Sequence, residues 1–200
     1  FRDLFVCGGA VQTPALLRRS GIKKNIGNSL RMHPAVRVVA RFNEIINDGK
    51  EGVPPLQVQK FKPAVTLGGS CSTIPHLAMW MTGQGNLHES LKRWQNLGIF
   101  YVLTTGYGAG MVRNIPMVNE PFVQLPVLDK DFMALGKGLQ QLGRLLFTTG
   151  AVEIFPPMDG GTTITDEDGL KIFDQGLPRR TEISTIHLFS SCPMGEDLTK

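Results

Sequence analysis

The sequence predicts an α+β fold, an antiparallel β-sheet with helices packed on it. Three observations point there. Segments such as VRVVARF (36–42), IFYVLTT (99–105) and AVEIF (151–155) are short and rich in β-branched and aromatic residues, as strands are. Helical patterns of apolar residues three and four apart occupy 86–98 and run from Asp129 to near Gly150. Several strand-to-strand connections are short, which favours antiparallel pairing over a doubly wound sheet.

Taken in order, LFVC (4–7) is a short apolar run closed by Gly8-Gly9 and reads as a buried strand. In AVQTPALLRRSGI, Thr13 fits a helix N-cap, Pro14 the first helical position and Gly21 the C-terminal cap. VRVVARF follows as a strand, and LQVQKF (56–61) alternates polar with apolar residues, as a half-buried strand does. Pro and Gly punctuate 62–85, which carries no clear periodicity. NLHESLKRWQNLG reads as one amphipathic helix, with Asn86 as cap and Leu87, Leu91 and Trp94 on one face. After the strand at 99–105, GYGAG turns the chain and MVRNIPMV returns antiparallel. PFVQLPVL contains Pro126 and suits an edge strand. The second helix puts Phe132, Leu135, Leu139, Leu142 and Leu146 on one side. AVEIF and EISTIHLF (182–189) are the last two predicted strands.

Composition is that of an ordinary globular chain: 200 residues, 42% hydrophobic and 19% charged. The 21 Lys and Arg against 17 Asp and Glu leave a formal net charge of +4, spread thinly, with no dense basic arm. That excludes a nucleic-acid partner at this level of reading. No apolar run approaches the roughly 20 residues of a membrane-spanning helix. Cys7, Cys71 and Cys192 form no Cys-x-x-Cys pair, which argues against a disulfide framework and against a metal site. They point to a reducing compartment, the cytoplasm, and leave room for peripheral attachment to a membrane. The chain opens on Phe1 rather than Met and stops at Lys200, so it reads as a fragment of a longer protein.

A few features could carry chemistry. Gly8, Gly9 and Ala10 lie between a predicted strand and a predicted helix. There, backbone N–H groups can meet a phosphate or the edge of a cofactor; alone, the pattern reads first as a tight turn. GYGAGMV (106–112) fails as a dinucleotide fingerprint, because Met111 stands at the third glycine and no helix follows. Of the four histidines, His88 lies on a polar helix face, His76 has no ligand set around it, and His33-Pro34 marks a turn. His187 ends an apolar run and precedes the small residues of SSCPMG, over which a substrate or a flat ring could come close. Histidine as a residue type is the side chain suited to proton transfer near neutral pH, so it is the natural general base for a hydroxyl proton. By its chemistry alone His187 reads first as a structural histidine and second as a base. Cys192 is too near His187 in sequence to face it as a nucleophile, and Gly-x-Ser-x-Gly is absent around Ser190 and Ser191.

Two stretches taken together resemble the glucose–methanol–choline (GMC) family of FAD-dependent oxidoreductases. GAVQTPALLRRSGI (9–22) resembles the family's second signature, with Lys23 where a glycine usually closes it; IGNSLRMHP (26–34) resembles the segment that follows, with Ser29 at an asparagine place and Met32 at a place often held by Asp. IHLFSSCPMGE (186–196) resembles the His-x-x-Gly-x-Cys-x-Met-Gly loop, with Ser190 at the first glycine. The resemblance leans toward the long-chain alcohol oxidase and cholesterol oxidase branch.

The resemblance implies FAD as cofactor and a small-molecule alcohol, lipophilic or sterol-like, as substrate. It implies that His187 accepts the hydroxyl proton while hydride passes to the flavin, and that Gly8, Gly9 and Ala10 pack against FAD. It implies three segments: 1–35 as a piece of an FAD-binding α/β domain, 36–184 as the substrate-binding domain, and 185–200 returning to the first. The dinucleotide-binding glycines would precede Phe1, and a second active-site His or Asn would follow Lys200, so the fragment alone is expected to be inactive. Phe61, Met79, Trp80, Met81, Phe100, Tyr101 and Phe122 would suit a lipophilic substrate or simply a packed core. A non-catalytic domain binding an apolar ligand or a protein partner is the second reading.

Overall fold

The computed structural model describes residues 2–50, 52 and 54–195. In chain order the elements are α1 (Gly9–Arg19), β1 (Arg31–Met32), β2 (Ala35–Phe42), β3 (Gln57–Val58), β4 (Val65–Ser70), α2 (Ile74–Trp80), α3 (Leu87–Leu91), β5 (Leu97–Thr104), β6 (Met111–Arg113), β7 (Phe122–Gln124), α4 (Asp129–Thr148), β8 (Ala151–Phe155) and β9 (Leu188–Phe189), with 3-10 turns at Trp94–Asn96 and Asp168–Phe173. The class is α+β with antiparallel pairing throughout the described ladders. Two compact units result. The first gathers Phe1–His33, Gly106–Leu128 and Thr185–Lys200; the second gathers Pro34–Thr105 and Asp129–Ser184. The hairpin region 106–128 therefore groups with the two chain ends.

The second unit is a five-stranded sheet of order β3-β4-β5-β2-β8. Its strands alternate sides with period two. Val36, Val38, Ala40 and Phe42 face one way and meet Leu135, Leu139, Leu142 and Leu146 of α4. Each such leucine taken out of water contributes about 1.5–3 kcal/mol. Val39, Leu97, Ile99 and Phe155 face the other way, against Leu77, Trp80 and Met81. Arg41 pairs with Glu153 at 2.5 Å across β2 and β8, and the Arg37 guanidinium sits 5.0 Å over the Trp80 ring while donating to Ser184 Oγ.

Helix α4 carries glycines where its neighbours come closest. A Cβ at Gly136 would lie 2.5 Å from the backbone of Gly176, one at Gly138 2.4 Å from Val102, and one at Gly143 2.4 Å from Leu170. Each glycine costs a helix about 1 kcal/mol, which the close packing offsets.

Several predicted elements came out differently. LFVC is not a strand; no segment among the described residues pairs with it, and Leu4 and Phe5 are 72% and 86% exposed. Helix α1 starts at Gly9, four residues before Thr13, and holds Pro14 inside it. Pro14 lacks only the N–H that would reach back to Ala10, a single bond near the helix start. The predicted end is right: Gly21 at φ +87 donates to Arg18 and Ile22 donates to Leu17, a Schellman closure. The predicted strand at 56–61 shrinks to two exposed residues.

The predicted helix at 86–98 stops at Leu91 and tightens into a 3-10 turn, because 95–96 is claimed by other bonds. Gln95 C=O accepts from Ile46 and Asn47, and the Asn96 amide donates to Asn43 and Glu44. MVR pairs with β7 rather than back onto β5. Gly110 exchanges two hydrogen bonds with Leu30 and so draws the segment into the first unit. EISTIHLF is not one strand: Ser184 bridges Ala35, and Leu188–Phe189 pairs with β1.

Candidate functional site

The first unit brings the two motif stretches together. Its core is Ala15, Leu30 and Val112, with Ala10, Val123 and Leu125 packed against them. Strands β1 and β9 form a short antiparallel ladder, Arg31 opposite Phe189 and Met32 opposite Leu188, and α1 runs beside β9. Gly27 N–H donates to Ser191 C=O at 2.7 Å, and Ser29 Oγ donates to Ser190 C=O at 2.5 Å. Residues 27–33 thus hold the loop that carries His187.

His187 is exposed, one residue before β9. Its backbone is held on both sides: the C=O accepts from His33 N–H, and the N–H meets Thr185 Oγ1 at 3.3 Å. Its ring stands edge-on to the His33 ring, with centroids 5.6 Å apart. Gly8 and Gly9 are exposed, and Ala10 is half-buried because its methyl packs into the unit's core. Gly9 sits at φ +72 with nothing within 4 Å of where a Cβ would point. No side chain caps the start of α1, and no acidic residue lies in its first turn.

Ser190 lies at φ +65, in the left-handed region, at a place where the resembling loop has glycine. A side chain there costs about 1–2 kcal/mol against glycine's freer backbone. Ser190→Gly is expected to hold or raise the urea midpoint of the full-length protein, and Ser190→Val to lower stability by about 1–2 kcal/mol. Ser191 is buried, with its carbonyl tied to Gly27. Burial pushes the Cys192 thiol above its ordinary value, only partly offset by a hydrogen bond with Ser191. That is the setting of an inert thiol rather than a nucleophile.

Residues 2–35 match the family model described as GMC oxidoreductase. Over 199 residues the chain is 39% identical to an uncharacterized GMC-type oxidoreductase of Sinorhizobium fredii, an alignment covering 96% of this chain and 39% of that protein. Over nearly its whole length the chain is similar to GMC-type oxidoreductases. Two further relatives agree. An uncharacterized GMC-type oxidoreductase of Mycobacterium tuberculosis (strain H37Rv) is 29% identical, over 95% of this chain and 30% of its own length. A long-chain-alcohol oxidase of Arabidopsis thaliana is 24% identical, over 97% of this chain and 30% of its own. The chain therefore spans roughly a third of the length of the GMC relatives it matches.

Within this chain, His33 is the site neighbour that no sequence pattern singles out. The sequence marks it as a turn before a strand and as part of the IGNSLRMHP segment, with no role of its own, yet it is the ring beside His187. Its signal lay in the pairing of two two-residue strands, too short to show as periodicity. The apolar residues of the middle region divide: Trp80 and Met81 are buried in one core, Phe61 and Phe100 pack against the other, and Met79 and Phe122 are exposed. Among the described residues no cluster of three His, Cys, Asp or Glu could hold a metal, and no helix is long and apolar enough to cross a membrane.

Proposed function

We propose that this chain is part of an FAD-dependent oxidoreductase acting on the CH–OH group of an alcohol, with His187 as general base. The observation that carries the reading is that one unit holds both the glycine-started α1 and the histidine-bearing loop, clamped by the 27–33 segment. The residues present fit a flavin. Gly9 offers an open edge, and the first turn of α1 is free of side-chain caps and of acids that would repel an electron-rich group. Gly8, Gly9 and the backbone of Ala10 would hold the cofactor on that edge.

When bound, FAD would supply the acceptor for hydride from the carbinol carbon. His187 takes the hydroxyl proton at a ring nitrogen, which makes that carbon a better hydride donor. Its exposed ring leaves room for a substrate, and the backbone bonds to His33 and Thr185 fix where the ring starts from. The name of the Arabidopsis relative supports a long-chain, lipophilic alcohol as substrate. The full-length protein, purified, is expected to be yellow with a flavin spectrum and to release FAD on denaturation. A folded protein without flavin would refute the reading.

A further inference from the structure

We propose that His33 is a positioning residue whose flat ring sets the orientation of the His187 imidazole; the inference rests on the general-base reading of His187.

A base works only when its nitrogen points at the proton it takes, and a misplacement of about 1 Å can cost on the order of 10²-fold in rate. Ligand or catalytic histidines usually have a second group that fixes the ring, commonly a hydrogen bond to the other nitrogen. His187 has none among the described residues: its hydrogen bonds all run through its backbone N–H and C=O. Its ring neighbour is His33, edge-on at 5.6 Å. The His33 ring is itself backed by Phe189, at 4.8 Å and tilted 42°.

The backbone arrangement enforces this edge contact. The β1–β9 ladder puts residues 31–32 opposite 188–189, and the next bond, His33 N–H to His187 C=O, brings the two histidines across from each other. Pro34, buried immediately after, limits His33 to extended conformations. Aromatic rings in edge-to-face contact are worth about 0.5–1.5 kcal/mol beyond their burial, enough to favour one orientation of an otherwise exposed ring. His33 thus acts through its ring, which is in contact with both His187 and Phe189.

The test uses the full-length, flavin-loaded protein. His33→Ala is expected to lower the limiting rate of anaerobic flavin reduction by about 10–100-fold while the half-saturating alcohol concentration moves little. His33→Leu, which keeps bulk without a flat ring, should show the same loss, and His33→Phe should recover most of it. A second readout is independent of turnover. With histidines labelled with nitrogen-15, the His187 imidazole signals should broaden in His33→Ala and His33→Leu and sharpen again in His33→Phe. A parent-like rate in His33→Ala or His33→Leu, a His33→Phe as slow as His33→Ala, or unchanged His187 signals would overturn the inference. If His187→Ala itself reduces flavin at the parent rate, the general-base reading fails instead.

Discussion

Replacing His187 by alanine in the full-length protein is expected to slow flavin reduction by alcohol roughly 10²–10⁴-fold, the span associated with losing a positioned general base. The expectation is large because the small residues of the loop cannot replace it, and His33, the neighbouring imidazole, stands 5.6 Å from the His187 ring rather than in its place. Cys192 is held protonated by burial, Ser191 is buried with its carbonyl tied to Gly27, and Ser190 is bound through its carbonyl to Ser29. None of these can take over a proton at neutral pH. The loss should appear in the limiting rate of reduction, measured by rapid mixing without oxygen, and should be smaller at high pH, where hydroxide or an ionised alcohol can do part of the work. His187→Gln, which keeps size and polarity but not basicity, should be as slow as the alanine variant. Reduction of either variant at the parent rate would return His187 to a structural role.

The largest stability effect is expected at Gly136, in the middle of α4. By helix propensity alone, alanine should stabilise this position by about 1 kcal/mol. Packing argues the other way. The new methyl would stand 2.5 Å from Gly176 and 2.6 Å from the Leu177 nitrogen, both backbone, so no side chain can swing aside. The helix would have to lift off the 176–177 turn, straining the bond from Leu177 N–H to Phe132 C=O at 2.8 Å. Overpacking costs typically 1–3 kcal/mol and a lost hydrogen bond about 1 more, so the net change is a loss of about 2 kcal/mol. A lower thermal midpoint in Gly136→Ala, beside an unchanged one in the exposed Lys137→Ala, is the expected result. A stabilised Gly136→Ala would mean that α4 does not pack so closely on that turn.

The elements legible in the sequence are those whose burial follows a simple period. Strands β2, β5 and β8 and helix α4 were readable because one side of each meets a continuous core. What escaped was set by long-range bonds. The 86–98 helix breaks where Gln95 and Asn96 are recruited by residues 43–47, and MVR turns to β7 because Gly110 is bound to Leu30. The candidate site was half legible. His187 and the glycines of α1 were found by resemblance in motif, while the expected strand before Gly8 did not form. The place of His33 beside His187 was hidden because it depends on pairing between residues more than 150 positions apart. The left-handed backbone at Ser190 shows the physical reason for a glycine at that place in the resembling loop.

Alcohol oxidation by the bound flavin is tested most directly by anaerobic mixing of the purified full-length protein with a long-chain primary alcohol while the flavin absorbance is followed. The flavin band is expected to bleach, more slowly when the carbinol hydrogens are deuterium and far more slowly in His187→Ala. A flavin band that stays intact under every alcohol tried, in a folded and FAD-loaded protein, would contradict this reading.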